Sequence, residues 1–85
     1  MGDQYGEGGR LLRDLRRMPA QDREIAIAAL RWIAADPAPD GLAKRAAGFP
    51  RAPGVIEAIY DRFLILYMLD AGGVLFLRVI ERVEL

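Results

Sequence analysis

Seven consecutive apolar residues, FLILYML from Phe63 to Leu69, constrain this chain more than any other feature in it. Successive side chains of a strand point to opposite faces, so a half-exposed strand carries a polar residue at every second position. Neither face of this run receives one. The run therefore predicts a strand covered on both sides, in a chain of only 85 residues. A domain of that size buries about 60–65% of its unfolded surface, so its own core has little to spare for a second face.

The flanking residues place the run in a sheet. β-Branched and aromatic types begin at Val55, and three strands are expected, at about 55–60, 63–69 and 74–83. Asp61 and Arg62 turn the first hairpin, and DAGG (70–73) turns the second with glycines that tolerate positive φ. The N-terminal half reads as helical. Leu11, Leu15 and Met18 recur at four and three residues, with Arg10, Arg13, Arg16 and Arg17 off that stripe. Pro19 marks a corner, and PAQDRE opens a second helix over about 20–35 with acidic residues in its first turn. Ala26, Leu30 and Ile33 form its apolar stripe, widened by Ile25, Ala29 and Trp32. Asp36 precedes Pro37, which ends the helix. DPAPDG (36–41) is a turn-forming loop, LAKRAAGF (42–49) one weak helical turn, and PRAPG (50–54) a break.

The expected fold is thus α+β, an N-terminal helical hairpin packed on a small antiparallel sheet. A Gly-rich tail at 1–9 precedes a single domain at 10–85. Hairpin pairing through 70–73 puts Leu64, Leu66 and Met68 on one face with Leu75, Leu77 and Val79. Phe63, Ile65, Tyr67 and Leu69 then share the other with Val74, Phe76, Arg78, Ile80 and Arg82. Two short helices cover one face of such a sheet and not both. The face of Leu64, Leu66, Met68, Leu75, Leu77 and Val79 is accordingly read as partner-binding.

Composition closes most enzyme classes. The chain has no Cys, His, Ser, Thr or Asn, which excludes disulfides, thiolate and hydroxyl nucleophiles, imidazole bases and a zinc site of the usual ligands. No cofactor or metal is expected. The 12 basic and 12 acidic residues balance, which argues against binding polyanions through net charge. Eleven of the 12 basic residues are Arg, a side chain suited to planar contact with phosphate or carboxylate and equally at home as an ordinary surface cation. Along residues 10–17 four Arg face only Asp14, a local charge of +3 (4 − 1), and the commoner reading of such a stretch is a solvated helix face. Residues 1–9 have neither a basic start nor an apolar core, and no apolar stretch approaches the ~20 residues of a membrane span. The reading is a cytoplasmic protein with no membrane role.

With these elements in order, the segment from LLRDLRRMPAQDREIAIAAL through DPAPDG to GVIEAIYDRFLILYMLDAGGVLFLRVIER resembles the RelE/ParE superfamily of toxins from bacterial type II toxin–antitoxin modules, the class linked with plasmid stabilisation. The likeness covers roughly residues 10–82. It rests on a Leu-rich first helix, a corner Pro, a "DP…G" after the second helix, Glu57 opening the strands, an aromatic–X–X–X–Tyr strand ending in Asp, and a last strand ending in Arg. The resemblance implies two helices on a small antiparallel sheet, usually preceded by an opening strand, for which MGDQYGEGG is a poor candidate. Family members that cleave mRNA on the ribosome use cations to hold the scissile phosphate and stabilise its developing charge. Here the Arg expected two residues after Glu57 is Ile59, and the Arg expected after the strand's first aromatic is Leu64. Only Arg82 stands at a matching position, and it is the one candidate catalytic residue.

Arg62 and Arg78 are candidate contacts for nucleic acid or an acidic partner, with ordinary strand-end cations as the plainer alternative. Tyr67 reads as a core aromatic rather than an acid–base group. The resemblance implies a cognate antitoxin as partner and, as cellular target, the ribosome with its mRNA or DNA gyrase. A second copy of the chain is a further candidate partner. The function expected is a toxin-like subunit acting by protein–protein binding. The alternatives are a ribosome-dependent mRNA endonuclease and a non-toxic homodimeric or partner-binding scaffold.

Overall fold

The structure, a computed structural model, describes residues 9–82. Residues 1–8 of the tail read over 1–9, and with them the opening strand, lie outside the described residues, as do 83–85; Gly9, read as the end of that tail, is the first residue of a helix. Two helices, α1 (Gly9–Arg16) and α2 (Ala20–Ala35), precede four strands, β1 (Lys44–Ala46), β2 (Ile56–Tyr60), β3 (Phe63–Asp70) and β4 (Gly73–Glu81). The strands form one antiparallel sheet in the order β1-β2-β3-β4. The fold is α+β.

The corner between the helices closes on its own polar groups. Pro19 caps α2 without a side-chain bond. The Arg23 guanidinium reaches back from the first turns of α2, donating to the carbonyls of Leu15 (2.9 Å) and Met18 (2.8 Å). The Leu15 carbonyl also accepts the Met18 N–H at 3.2 Å, and the cation adds to that bond and meets the negative end of the helix dipole. Leu11 of α1 and Ala26, Ala29 and Ile33 of α2 join a buried cluster with Ile56, Ala58, Phe63, Ile65, Tyr67, Phe76 and Val79 of the sheet. The two Ala residues, fully buried, let the α2 backbone approach the aromatic side chains of β3.

Both expected hairpins are present. Tyr60 pairs with Phe63 across the two-residue turn Asp61–Arg62, where Asp61 adopts φ 55°. Asp70 pairs with Gly73, and Gly73 has φ 128°, a conformation a side chain would strain. The Asp70 carboxylate steadies the second turn by accepting from the Gly72 N–H at 2.8 Å.

Residues 44–46 form an edge strand rather than part of the helical turn expected over 42–49. The reason lies just upstream. Gly41 takes φ 82°, and the Asp40 carboxylate accepts from the N–H groups of Leu42 (2.8 Å) and Lys44 (3.1 Å). This tight reversal aims the chain back along β2, where Lys44, Arg45 and Ala46 pair with Ala58, Glu57 and Ile56. Pairing outweighs the weak helical preference of an Ala-rich stretch.

The face assignment of β4 needs a second correction. Phe63 to Leu66 pair with Glu81 to Arg78, whereas Tyr67 to Asp70 pair with Phe76 to Gly73, so Leu77 is an extra residue in a β-bulge. The alternation is reset across it. Val79, expected beside Leu64 on the partner-binding face, pairs with Ile65 and is 3% exposed in the core. Ile80, expected in the core, pairs with Leu64 and is exposed. Arg78, expected on the inner face, pairs with Leu66. A bulge brings both Phe76 and Val79 inward against Tyr67 and Ile65, which uniform pairing cannot do.

Candidate functional site

The outer face of the sheet, opposite the buried Phe63, Ile65 and Tyr67, is built in three rows across the strands. The first is Ile59–Leu64–Ile80, the second Arg45–Glu57–Leu66–Arg78, and the third is the Met68–Leu75 pair. Leu64, Leu66, Met68, Leu75 and Leu77 are all half-buried, as is Ile59. The site residues predicted for partner binding are therefore brought together on one face, Val79 excepted. The two positions where the family resemblance expects guanidiniums, Ile59 and Leu64, are direct cross-strand partners. They form an apolar pair in the middle of the outer face. At the rim Arg45 donates to Glu57 at 2.9 Å, an exposed pair of small energetic weight. The 47–55 connection closes over the Met68 end: a Cβ on Gly54 would lie 3.4 Å from Met68 Cε, and Val55 is 5% exposed.

The predicted cations fall into two groups. Arg62, in the first hairpin turn, contacts Asp22 of α2, Glu81 at 3.1 Å and Asp61 at 3.8 Å. Its guanidinium carbon also lies 5.2 Å from the centre of the Phe63 ring. Arg82 follows β4, and its N–H donates to the Arg62 carbonyl at 2.7 Å, which holds the two residues together. The Arg82 residue is exposed and has no salt bridge among the described residues. Nothing in this geometry encloses a scissile phosphate beside it.

Arg78 belongs to the other group. Its Nε and Nη2 donate to the two carboxylate oxygens of Asp14 on α1, at 2.8 and 2.9 Å. Asp14 also accepts the Val79 N–H at 3.0 Å and has a side chain only 9% exposed. Burial pushes the Asp14 carboxyl up. The hydrogen bonds from Arg78 and Val79 and the charges of Arg78 and Arg17 outweigh it and hold the carboxyl below its ordinary value. The same bond raises the Arg78 guanidinium. Asp14 thus ties α1 to β4 just beyond the bulge, where an outer-edge N–H needs an acceptor.

Two further residues were not identified from sequence as site-forming. Lys44, 3% exposed, is the one buried charged side chain among the described residues. Its ammonium donates to the Asp36 carbonyl at the end of α2 and sits 4.4 Å from the centre of the Trp32 ring. Beside it the Tyr67 hydroxyl donates to the Pro37 carbonyl at 2.7 Å. Burial raises the Tyr67 hydroxyl, and the Asp40 and Asp36 charges add to the shift. That hydroxyl is committed to the fold, in keeping with a core role. Lys44 was legible only as the sole Lys in an Arg-rich chain; its partners are backbone and an aromatic face, which leave no motif.

Among the described residues no group of acidic side chains could hold a metal ion, and no helix is long and apolar enough to cross a membrane. No family model matches the chain, and no curated protein or solved structure matches it either.

Proposed function

We propose that this chain is a toxin-like subunit of a type II toxin–antitoxin pair, a divergent RelE/ParE-like member that acts by binding protein partners and not by cutting RNA. The observation that carries the reading is the cross-strand pair Ile59–Leu64, continued by Ile80, at the centre of the outer face. An RNA-cleaving site needs oriented cations there, and losing one such group costs on the order of 10²–10³ in rate. Apolar side chains instead favour contact with another protein, each fully buried one contributing about 1.5–3 kcal/mol. The order of two helices followed by an antiparallel sheet supports the family reading. A cognate antitoxin laid across Leu64, Leu66, Met68, Leu75 and Leu77 covers the face that the helices leave open.

The test is inducible expression in a bacterial host, alone and with the small open reading frame adjacent to the gene. Growth arrest relieved by the neighbour, with a stable heterocomplex on purification, is the expected result. Arg82→Ala is expected to leave the arrest unchanged. Loss of arrest in Arg82→Ala would replace this reading with the endonuclease, and neither arrest nor a complex would leave the non-toxic scaffold.

A further inference from the structure

We infer that the cleft between α1 and β4 is a binding site for linear phosphate chains, the backbone of a nucleic-acid strand or an inorganic polyphosphate. The cleft, of about 140 Å³, is lined by Arg10, Arg13, Asp14, Arg17 and Arg78. Four guanidiniums face one carboxylate, and that carboxylate is already occupied by Arg78 and the Val79 N–H. Sequence alone showed the four helical arginines as a solvated face; the fold gathers three of them, Arg10, Arg13 and Arg17, with Arg78, 61 residues downstream of Arg17 (78 − 17), around a concavity.

Three features point to phosphate. Asp14 fixes Arg78 through Nε and Nη2, which leaves both N–H groups of Nη1 without a partner among the described residues. A guanidinium held in this way is pre-oriented for bidentate contact with an anion. Next, Arg10 and Arg13 of α1 and Arg17 just beyond it, whose N–H donates to the Arg13 carbonyl at 3.1 Å, recur at three and four residues, a stripe about 10 Å long at 1.5 Å per residue. A stripe of that length can follow more than one successive phosphate of a single chain. Finally, the like charges of the stripe are neighbours at three and four residues and repel one another, a repulsion that an anion laid along them relieves. A carboxylate-rich peptide fits less well: the arginine-lined part of the cleft has no apolar side chain, those of Met18, Pro19, Val79 and Ile80 lying in the adjoining hollow beside Asp22 and Glu81, and protein interfaces place apolar groups at their centre. Nucleic-acid interfaces are polar and positively charged. This site borders the apolar outer face at Arg78, whose cross-strand neighbour is Leu66, and does not depend on the toxin reading.

The experiment is fluorescence anisotropy of a labelled 12-mer of thymidylate with the full chain, from 50 to 200 mM salt. Inorganic polyphosphate and polyglutamate of equal charge serve as competitors. Binding is expected to weaken with salt at a log–log slope of about −2 to −3, for three or four phosphate contacts on a single strand. The double variant Arg13→Gln/Arg17→Gln, in which both changed side chains are exposed, is expected to bind at least tenfold more weakly and to reduce the slope by about 1 to 2. Arg31→Gln, exposed on α2 outside the cleft, is expected to bind as the wild type does. Displacement by polyphosphate identifies the bare phosphate chain as sufficient, and its failure to displace restricts the site to nucleic acid. No binding at 50 mM salt, a double variant equal to wild type, or polyglutamate competing as well as polyphosphate would each overturn the inference.

Discussion

Val79→Asp is expected to abolish cooperative folding, while Leu77→Asp, two residues away, leaves a folded protein. The two positions share a face in an unbulged strand and part company only because Leu77 is the extra residue in β4. Val79 packs in the inner cluster at 3% exposure, against Ile65 across the strand, whereas Leu77 is half-buried. An unpaired carboxylate in that cluster costs about 4 kcal/mol or more, by lost solvation and lost packing together. A domain of this size has a total stability of about 4–13 kcal/mol, so the loss removes from about a third of the reserve to all of it. At Leu77 the carboxylate keeps its water and the cost stays below about 2 kcal/mol. Urea melts followed by circular dichroism distinguish the cases. Equal melts for the two variants would mean that β4 runs without the bulge.

Tyr67→Ala is expected to cost about 3–5 kcal/mol, and Tyr67→Phe about 1 kcal/mol. The side chain is fully buried, its ring centre 6.3 Å from that of Phe76, and its hydroxyl holds the loop after α2 to β3 through the Pro37 carbonyl. The alanine variant loses both the packing and the tie, and the phenylalanine variant only the tie. The hydroxyl adds a dependence on pH. Its pKa in the folded protein is raised above the unfolded value of about 10, so the neutral form is the one the fold favours. Its contribution is complete below pH 10 and is lost as the pH rises from there through the folded value, at up to about 1.4 kcal/mol per pH unit. Melts at pH 9 and pH 11 should show this loss in wild type and a smaller one in Tyr67→Phe.

How much of this was legible beforehand follows from the range of the interactions involved. The two helices, both hairpin turns and the inner set Phe63, Ile65 and Tyr67 depend on period, Pro and Gly, all local to the sequence. Strand β1 was hidden because its cause is remote: Lys44–Ala46 become extended by pairing with Ile56–Ala58, against an Ala-rich local preference. The bulge at Leu77 was hidden for a related reason. Every residue from Val74 to Ile80 except Arg78 is apolar, so alternation carries no mark of where it resets. Of the candidate site, the Leu64–Met68 face could be read directly because the strand lacks polar residues on either side. The pairing of Ile59 with Leu64 required the register of β2. The tie between Asp14 and Arg78 joins residues 64 positions apart, and Arg62 meets Asp22 across 40. Neither separation leaves a signature in one sequence.

The outer face is the centre of this account, and Leu64 lies at the middle of it, between Ile59 and Ile80. The most direct measurement is the solution mass, by light scattering, of the wild type and of Leu64→Arg, each purified with the product of the adjacent reading frame. A guanidinium at this half-buried position is solvated in the free chain and stranded under a bound partner. A heterocomplex for the wild type, with Leu64→Arg folded but running as the chain alone, is the expected result. A Leu64→Arg protein that assembles to the same mass as the wild type would contradict the assignment of this face.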